Sequence, residues 1–129
     1  MLVDKVDPVS AKLDLTHGRG ADLVVEASGA PRAIYSSVKM LRKMGRLSQI
    51  GLTGKPDITF PWNVAGAKVI SLYFIVSIGL TCWGRSLGLM ASGTINVKKI
   101  TTNTYPLSKW EEAFIGIENH RTVKGLIIP

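Results

Sequence analysis

Ala21-Asp22-Leu23-Val24-Val25-Glu26-Ala27-Ser28-Gly29-Ala30-Pro31 is the stretch that decides the fold. Leu23, Val24 and Val25 form a short apolar run without alternation, the pattern of a strand covered on both faces in a parallel sheet. Ser28 to Pro31 breaks that run, and Pro31 suits the first position of a helix, where a missing N–H costs nothing. Ile34, Val38 and Leu41 then recur at spacings of four and three, which makes one apolar helical face. Gly45 is the predicted end of that helix, and Arg46-Leu47-Ser48-Gln49-Ile50-Gly51 reads as the next strand. A strand, a right-handed helical crossover and a parallel strand account for the whole stretch.

In open parallel sheets ligands sit beyond the carboxyl ends of the strands. Ser28 and Gly29 end the first strand here, and Gly51 ends the second. Two readings stand for these glycines. Either they let the backbone come close to a ligand, or they simply make the turns.

Working outward, Leu2-Val3 is a weak, strand-like start, and Asp7-Pro8 reads as an N-cap with a first-turn proline, opening a helix that Gly18 closes. Downstream, Thr53 to Asp57 is turn-rich, Phe60 to Asn63 begins a short helical link, and Val69 to Val76 is strand-like. Trp83, Leu87 and Met90 predict a helix from about Cys82 to Ser92, closed by Gly93. Ile100 to Tyr105 is a threonine-rich strand. Ser108-Lys109-Trp110-Glu111 has the spacing of a capping box, Trp110, Phe114 and Ile117 form a stripe expected to pack in the core, and Lys124 to Ile128 is a final strand.

With 129 residues, 46% of them hydrophobic and 19% charged, the chain is expected to be a single globular domain spanning residues 1–129. Its one cysteine, Cys82, lies among apolar neighbours and is expected to be buried and inert. A lone cysteine excludes an internal disulfide and any zinc site built on several thiolates. The net charge of +7 comes from basic residues spread along the chain without interleaved aromatics, so no specific nucleic-acid site is expected. The longest uncharged run, Val69 to Gly84, is shorter than the roughly 20 apolar residues of a spanning helix. Met1 to Pro8 lacks the pattern of a signal peptide, and a cytoplasmic protein without membrane attachment is expected.

Gly18-Arg19-Gly20-Ala21-Asp22, Glu26 to Pro31, Gly45-Arg46, Gly51-Leu52, Trp83 to Gly93, Tyr105-Pro106-Leu107 to Phe114 and Lys124 to Pro129 follow one another in an order that resembles medium-chain, zinc-type alcohol dehydrogenases. The likeness is to the coenzyme-binding domain of the sorbitol and threonine dehydrogenase branch. It implies an α/β fold: a partial Rossmann-like, doubly wound parallel sheet lacking its first two strands, with a C-terminal strand-helix-strand tail. In the order 3-2-1-4-5-6, Asp22 to Ser28 would be the fourth strand, with its edge toward the first strand unpaired or covered by Leu2 to Val6.

The intact family transfers a hydride between NAD or NADP and a secondary alcohol, with zinc polarising the substrate oxygen. The resemblance places Ser28 and Gly29 near the coenzyme's adenosine and ribose, Gly51 and Leu52 beside its nicotinamide half, and Lys124 toward the pyrophosphate. A solvated lysine is the alternative for Lys124. The likeness fails at Tyr73-Phe74, where relatives carry glycine and a small residue, and two aromatics there would fill coenzyme space. No Gly-x-Gly-x-x-Gly turn precedes a helix, and Cys82, His17 and His120 are not spaced as ligands. The expectations are therefore no catalytic or metal residues in this chain, weak or no NAD(P) binding, and no activity alone. A missing N-terminal catalytic part and homo-oligomers formed through sheet edges are the expected partners. A scaffolding module that uses those edges is the second reading, and generic nucleic-acid binding the third.

Overall fold

The computed structural model describes residues 5–129, and the Leu2-Val3 strand and most of the proposed Leu2 to Val6 cover lie outside them. Contacts divide the chain into two compact units, with the break between Ser77 and Ile78.

The first unit is the strand–crossover–strand arrangement read from the sequence. Helix α1 (Pro8–Leu15) starts at Asp7, whose carboxylate accepts the Ser10 N–H at 3.0 Å, and closes with Gly18 N–H donating to the Leu13 carbonyl at 2.8 Å. Strand β1 (Ala21–Glu26), helix α2 (Pro31–Met40), strand β2 (Leu41–Gln49), helix α3 (Trp62–Lys68) and strand β3 (Ser71–Phe74) follow. The three strands are parallel in the order β1-β2-β3, the order expected for the fourth to sixth strands of a doubly wound sheet.

Two boundaries differ from the sequence reading. Helix α2 stops at Met40 and not at Gly45, because Leu41 already turns into β2 and is buried. Lys68 explains the early stop: its ammonium donates to the carbonyls of Val38, Lys39 and Leu41 at 3.3, 2.7 and 2.6 Å, satisfying acceptors that the helix end leaves free. Burial holds the Lys68 pKa below the ordinary lysine value. Strand β3 is shorter than Val69 to Val76, because Val69 is left-handed (φ 52°) and ends α3.

Val38, Leu41, Leu47 and Ala65 form the core, with Val24, Phe60, Val64, Ile70 and Leu72 packed against it. Fully burying Val38, Leu41 and Leu47 stabilises by roughly 1.5–3 kcal/mol each. Val24 and Leu47 are register partners on the face covered by α2 and α3. The opposite face carries Leu23 and Val25, which remain 46% and 55% exposed. This corrects the reading of β1 as covered on both faces. Within the described residues β1 pairs only with β2, so its outer edge is free there.

The second unit contains α4 (Leu80–Ala91), a 3-10 turn (Val97–Lys99), β4 (Thr101–Pro106), α5 (Trp110–Glu118) and β5 (Lys124–Ile128), with β4 and β5 parallel. The Ser108–Glu111 capping box does not form. Leu107–Lys109 makes a 3-10 turn leading straight into α5, so Ser108 is already in a helical turn and no side chain caps the helix. Trp110, Phe114 and Ile117 are exposed, whereas Ala113 and Gly116 are buried. A hydrogen-bonded group fills the space under α5: Tyr105 Oη lies 2.9 Å from Thr122 Oγ1, which donates to Asn103 Oδ1 at 3.1 Å. Small residues fit over that group and the bulky stripe is left outside. Cys82 is exposed on α4, contrary to the buried thiol expected.

Candidate functional site

The carboxyl ends of β1 and β2 lie side by side, with Glu26 and Gln49 as direct register partners. Glu26 is only 4% exposed, and an isolated buried carboxylate would be costly. Its environment supplies donors instead. The carboxylate accepts Ser28 N–H at 2.9 Å, Gly29 N–H at 3.1 Å to each oxygen, the Ser28 hydroxyl, and Gln49 Nε2 at 2.6 Å. Burial pushes the Glu26 pKa up, but the hydrogen bonds from Ser28, Gly29 and Gln49 together outweigh it and hold the group below the ordinary glutamate value. The Glu26 carbonyl also accepts the N–H groups of Ile50 and Gly51 at 2.8 and 3.1 Å. Gln49 Nε2 donates onward to the Gly51 carbonyl at 2.8 Å.

The two turns touch backbone to backbone. A β-carbon on Gly29, where φ is 69°, would overlap the Leu52 carbonyl, and one on Gly51 would overlap the Gly29 nitrogen. Both glycines are therefore required by the neighbouring turn, whatever binds there.

Beside Gly51 and Leu52 opens a cleft of about 380 Å³ whose other walls include Gln49, Phe60, Trp62 and Phe74. Phe60 and Trp62 meet edge to face, with centroids 4.7 Å apart. Of the two aromatics expected to obstruct coenzyme space, Phe74 lines this cleft and Tyr73 does not. Gln49 Oε1 is buried with no hydrogen-bond partner. The strand ends therefore hold one buried acceptor without a partner.

Ser28, Gly29, Gly51 and Leu52 thus come together at one end of one sheet. Lys124 is exposed at the start of β5, in the other unit, where it pairs in register with Thr101. Glu26 and Gln49, the residues that join the turns, were not among the sequence-selected site residues. Glu26 closes the Leu23–Val25 run, but Gln49 follows Arg46 and Ser48 in a mixed strand, so only the register of the two strands singles out the pair. Among the described residues, no three His, Cys, Asp or Glu side chains are grouped to hold a metal ion.

The sequence pattern of the zinc-binding dehydrogenases matches residues 2–92. This chain belongs to that family. It is 34% identical over 125 residues to the sorbitol dehydrogenase of Halalkalibacterium halodurans, covering 97% of this chain and 36% of that protein. It is also 34% identical over 128 residues to the L-threonine 3-dehydrogenase of Bacillus licheniformis, covering 98% of this chain and 37% of that protein. The fold is similar to that of an alcohol dehydrogenase from a Thermus species, with a TM-score of 0.87 at 23% identity over 99% of this chain and 37% of that one. The chain thus spans just over a third of the length of these zinc-binding dehydrogenase relatives. Within the described residues no helix is long and apolar enough to cross a membrane.

Proposed function

We propose that this chain forms the later part of the coenzyme-binding domain of an NAD(P)-dependent polyol or alcohol dehydrogenase, acting in the cytoplasm. The observation that carries this reading is the convergence of Ser28–Gly29 and Gly51–Leu52 at the carboxyl ends of two parallel strands, where such sheets receive ligands. In this reading Ser28 and Gly29 approach the adenosine and ribose, and Gly51 and Leu52 the nicotinamide half. The coenzyme would supply the hydride acceptor; this chain's residues would only bind and orient it. The described residues do not fit a zinc ion, so no metal step is assigned to them.

Activity is proposed to require a metal set and a phosphate-cradling turn supplied from outside these 129 residues, so the chain alone is inactive and binds NAD weakly. Isothermal titration with NAD tests the binding claim. Millimolar or undetectable binding is expected; a micromolar site would overturn it. Steady NAD reduction by pure protein with sorbitol, threonine or a small alcohol would overturn the claim of inactivity.

The outer edge of β1, unpaired among the described residues, and the exposed Leu23 and Val25 favour a second reading, a module that pairs with another chain through its sheet edges. Homo-oligomers are expected in that case, and a monomer at high concentration in sedimentation would count against it.

A further inference from the structure

We infer that Glu26 is the positioning residue of the carboxyl-end site: its ionised carboxylate, braced by Gln49, holds the Ser28–Gly29 turn in the shape presented to a ligand. The inference rests on the reading of that turn as coenzyme-facing, but its geometry can be tested without coenzyme.

Three features of the site carry it. Ser28 and Gly29 direct their N–H groups inward to Glu26, so the carboxylate determines how the turn is folded. The same carboxylate reaches across to Gln49, whose amide continues to the Gly51 carbonyl, forming one connected path from the first turn through Glu26 and Gln49 to the second. The glycines provide room but no attraction: the close approach of Gly29 to Leu52 permits contact between the turns, whereas the charge-assisted hydrogen bonds hold it. The Ser28 hydroxyl reinforces this by donating to Glu26 while accepting Ala30 N–H at 3.2 Å, at the entrance to α2. A ligand at this end would therefore meet a turn whose shape depends on a carboxylate buried behind it.

Amide hydrogen exchange on the full chain, read residue by residue by NMR, tests the inference. In Glu26→Leu, which keeps bulk but removes every acceptor, the Ser28 and Gly29 amides should lose at least tenfold in protection relative to the Val24, Val25, Leu47 and Ser48 amides. A loss shared equally by all of these, or none at Ser28 and Gly29, would overturn the inference. Should the leucine variant not fold, Glu26→Gln decides. It keeps an acceptor oxygen but removes the charge, so the Ser28 and Gly29 amide protons should move upfield while the strand amides stay in place. Unchanged shifts at both residues would overturn it. A micromolar NAD site, or steady NAD reduction by the chain alone, would count against the proposed function and would leave this exchange pattern intact.

Discussion

The two units use similar raw material with different results. Both are built from parallel strands with a helix packed against them, and both are rich in large apolar side chains. In the first, Val38, Leu41 and Leu47 are essentially removed from solvent between two helices and the sheet. In the second, Ala113 is the only hydrophobic residue fully buried, while Trp83, Leu87, Trp110, Phe114 and Leu126 stay in contact with solvent. Apolar content does not make a core. A core needs large apolar side chains on the faces that close against each other, and in the second unit α5 meets its sheet through Ala113 and Gly116 over Tyr105 and Thr122.

This contrast can be broken by substitution. The largest expected effect is at Leu47→Ala, which opens a cavity in the closed core and should cost about 3 kcal/mol. Phe114→Ala removes a larger side chain from the second unit, yet should cost less than about 1 kcal/mol because that ring is exposed. Urea unfolding of both variants checks the pair, and equal costs would contradict the contrast. Next comes Gly29→Ala, which meets both a left-handed backbone and the Leu52 carbonyl and should cost about 2 kcal/mol by the same measurement.

A smaller effect is expected from pH. Because the folded state holds the Glu26 pKa below its ordinary value, the unfolded chain binds this proton more readily. Glu26 therefore contributes stability above the ordinary glutamate range, and that contribution disappears as pH falls through the lower folded value. Melting temperatures followed from neutral pH into acid should decline less steeply in Glu26→Gln than in the unaltered chain; parallel curves would show that Glu26 contributes nothing. Val69→Gly should stabilise by about 1 kcal/mol, since a β-branched residue is left-handed at the end of α3 and glycine adopts that conformation without strain. The smallest effect is expected for Glu112→Gln in the exposed pair with Lys109, below about 0.5 kcal/mol in thermal unfolding.

Much of the first unit was legible in the linear sequence because its signals are local. The Leu23–Val25 run, the break at Ser28–Gly29, Pro31 at a helix start and the spacing of Ile34 and Val38 all act within a few residues, and they specified β1, α2 and the parallel crossover. The same locality brought Ser28, Gly29, Gly51 and Leu52 into view as strand-end residues.

Tertiary structure decided what depends on distant partners. The end of α2 was read at Gly45 because nothing near Met40 reveals that Lys68 will take its last carbonyls. The stripe of Trp110, Phe114 and Ile117 had core spacing, but α5 turns its Ala113 and Gly116 face inward, with Gly116 against Tyr105 and Thr122. Glu26 was visible only as a residue of the motif, and its role emerged when the register placed it against Gln49, 23 positions away. By itself the sequence determined the order of the strands and helices and most of the turns between them, because propensity and periodicity act over a few bonds. Which faces are covered, where helices stop under external caps, and which buried carboxylate joins two turns were decided only in the fold, because each requires residues far apart in sequence to meet.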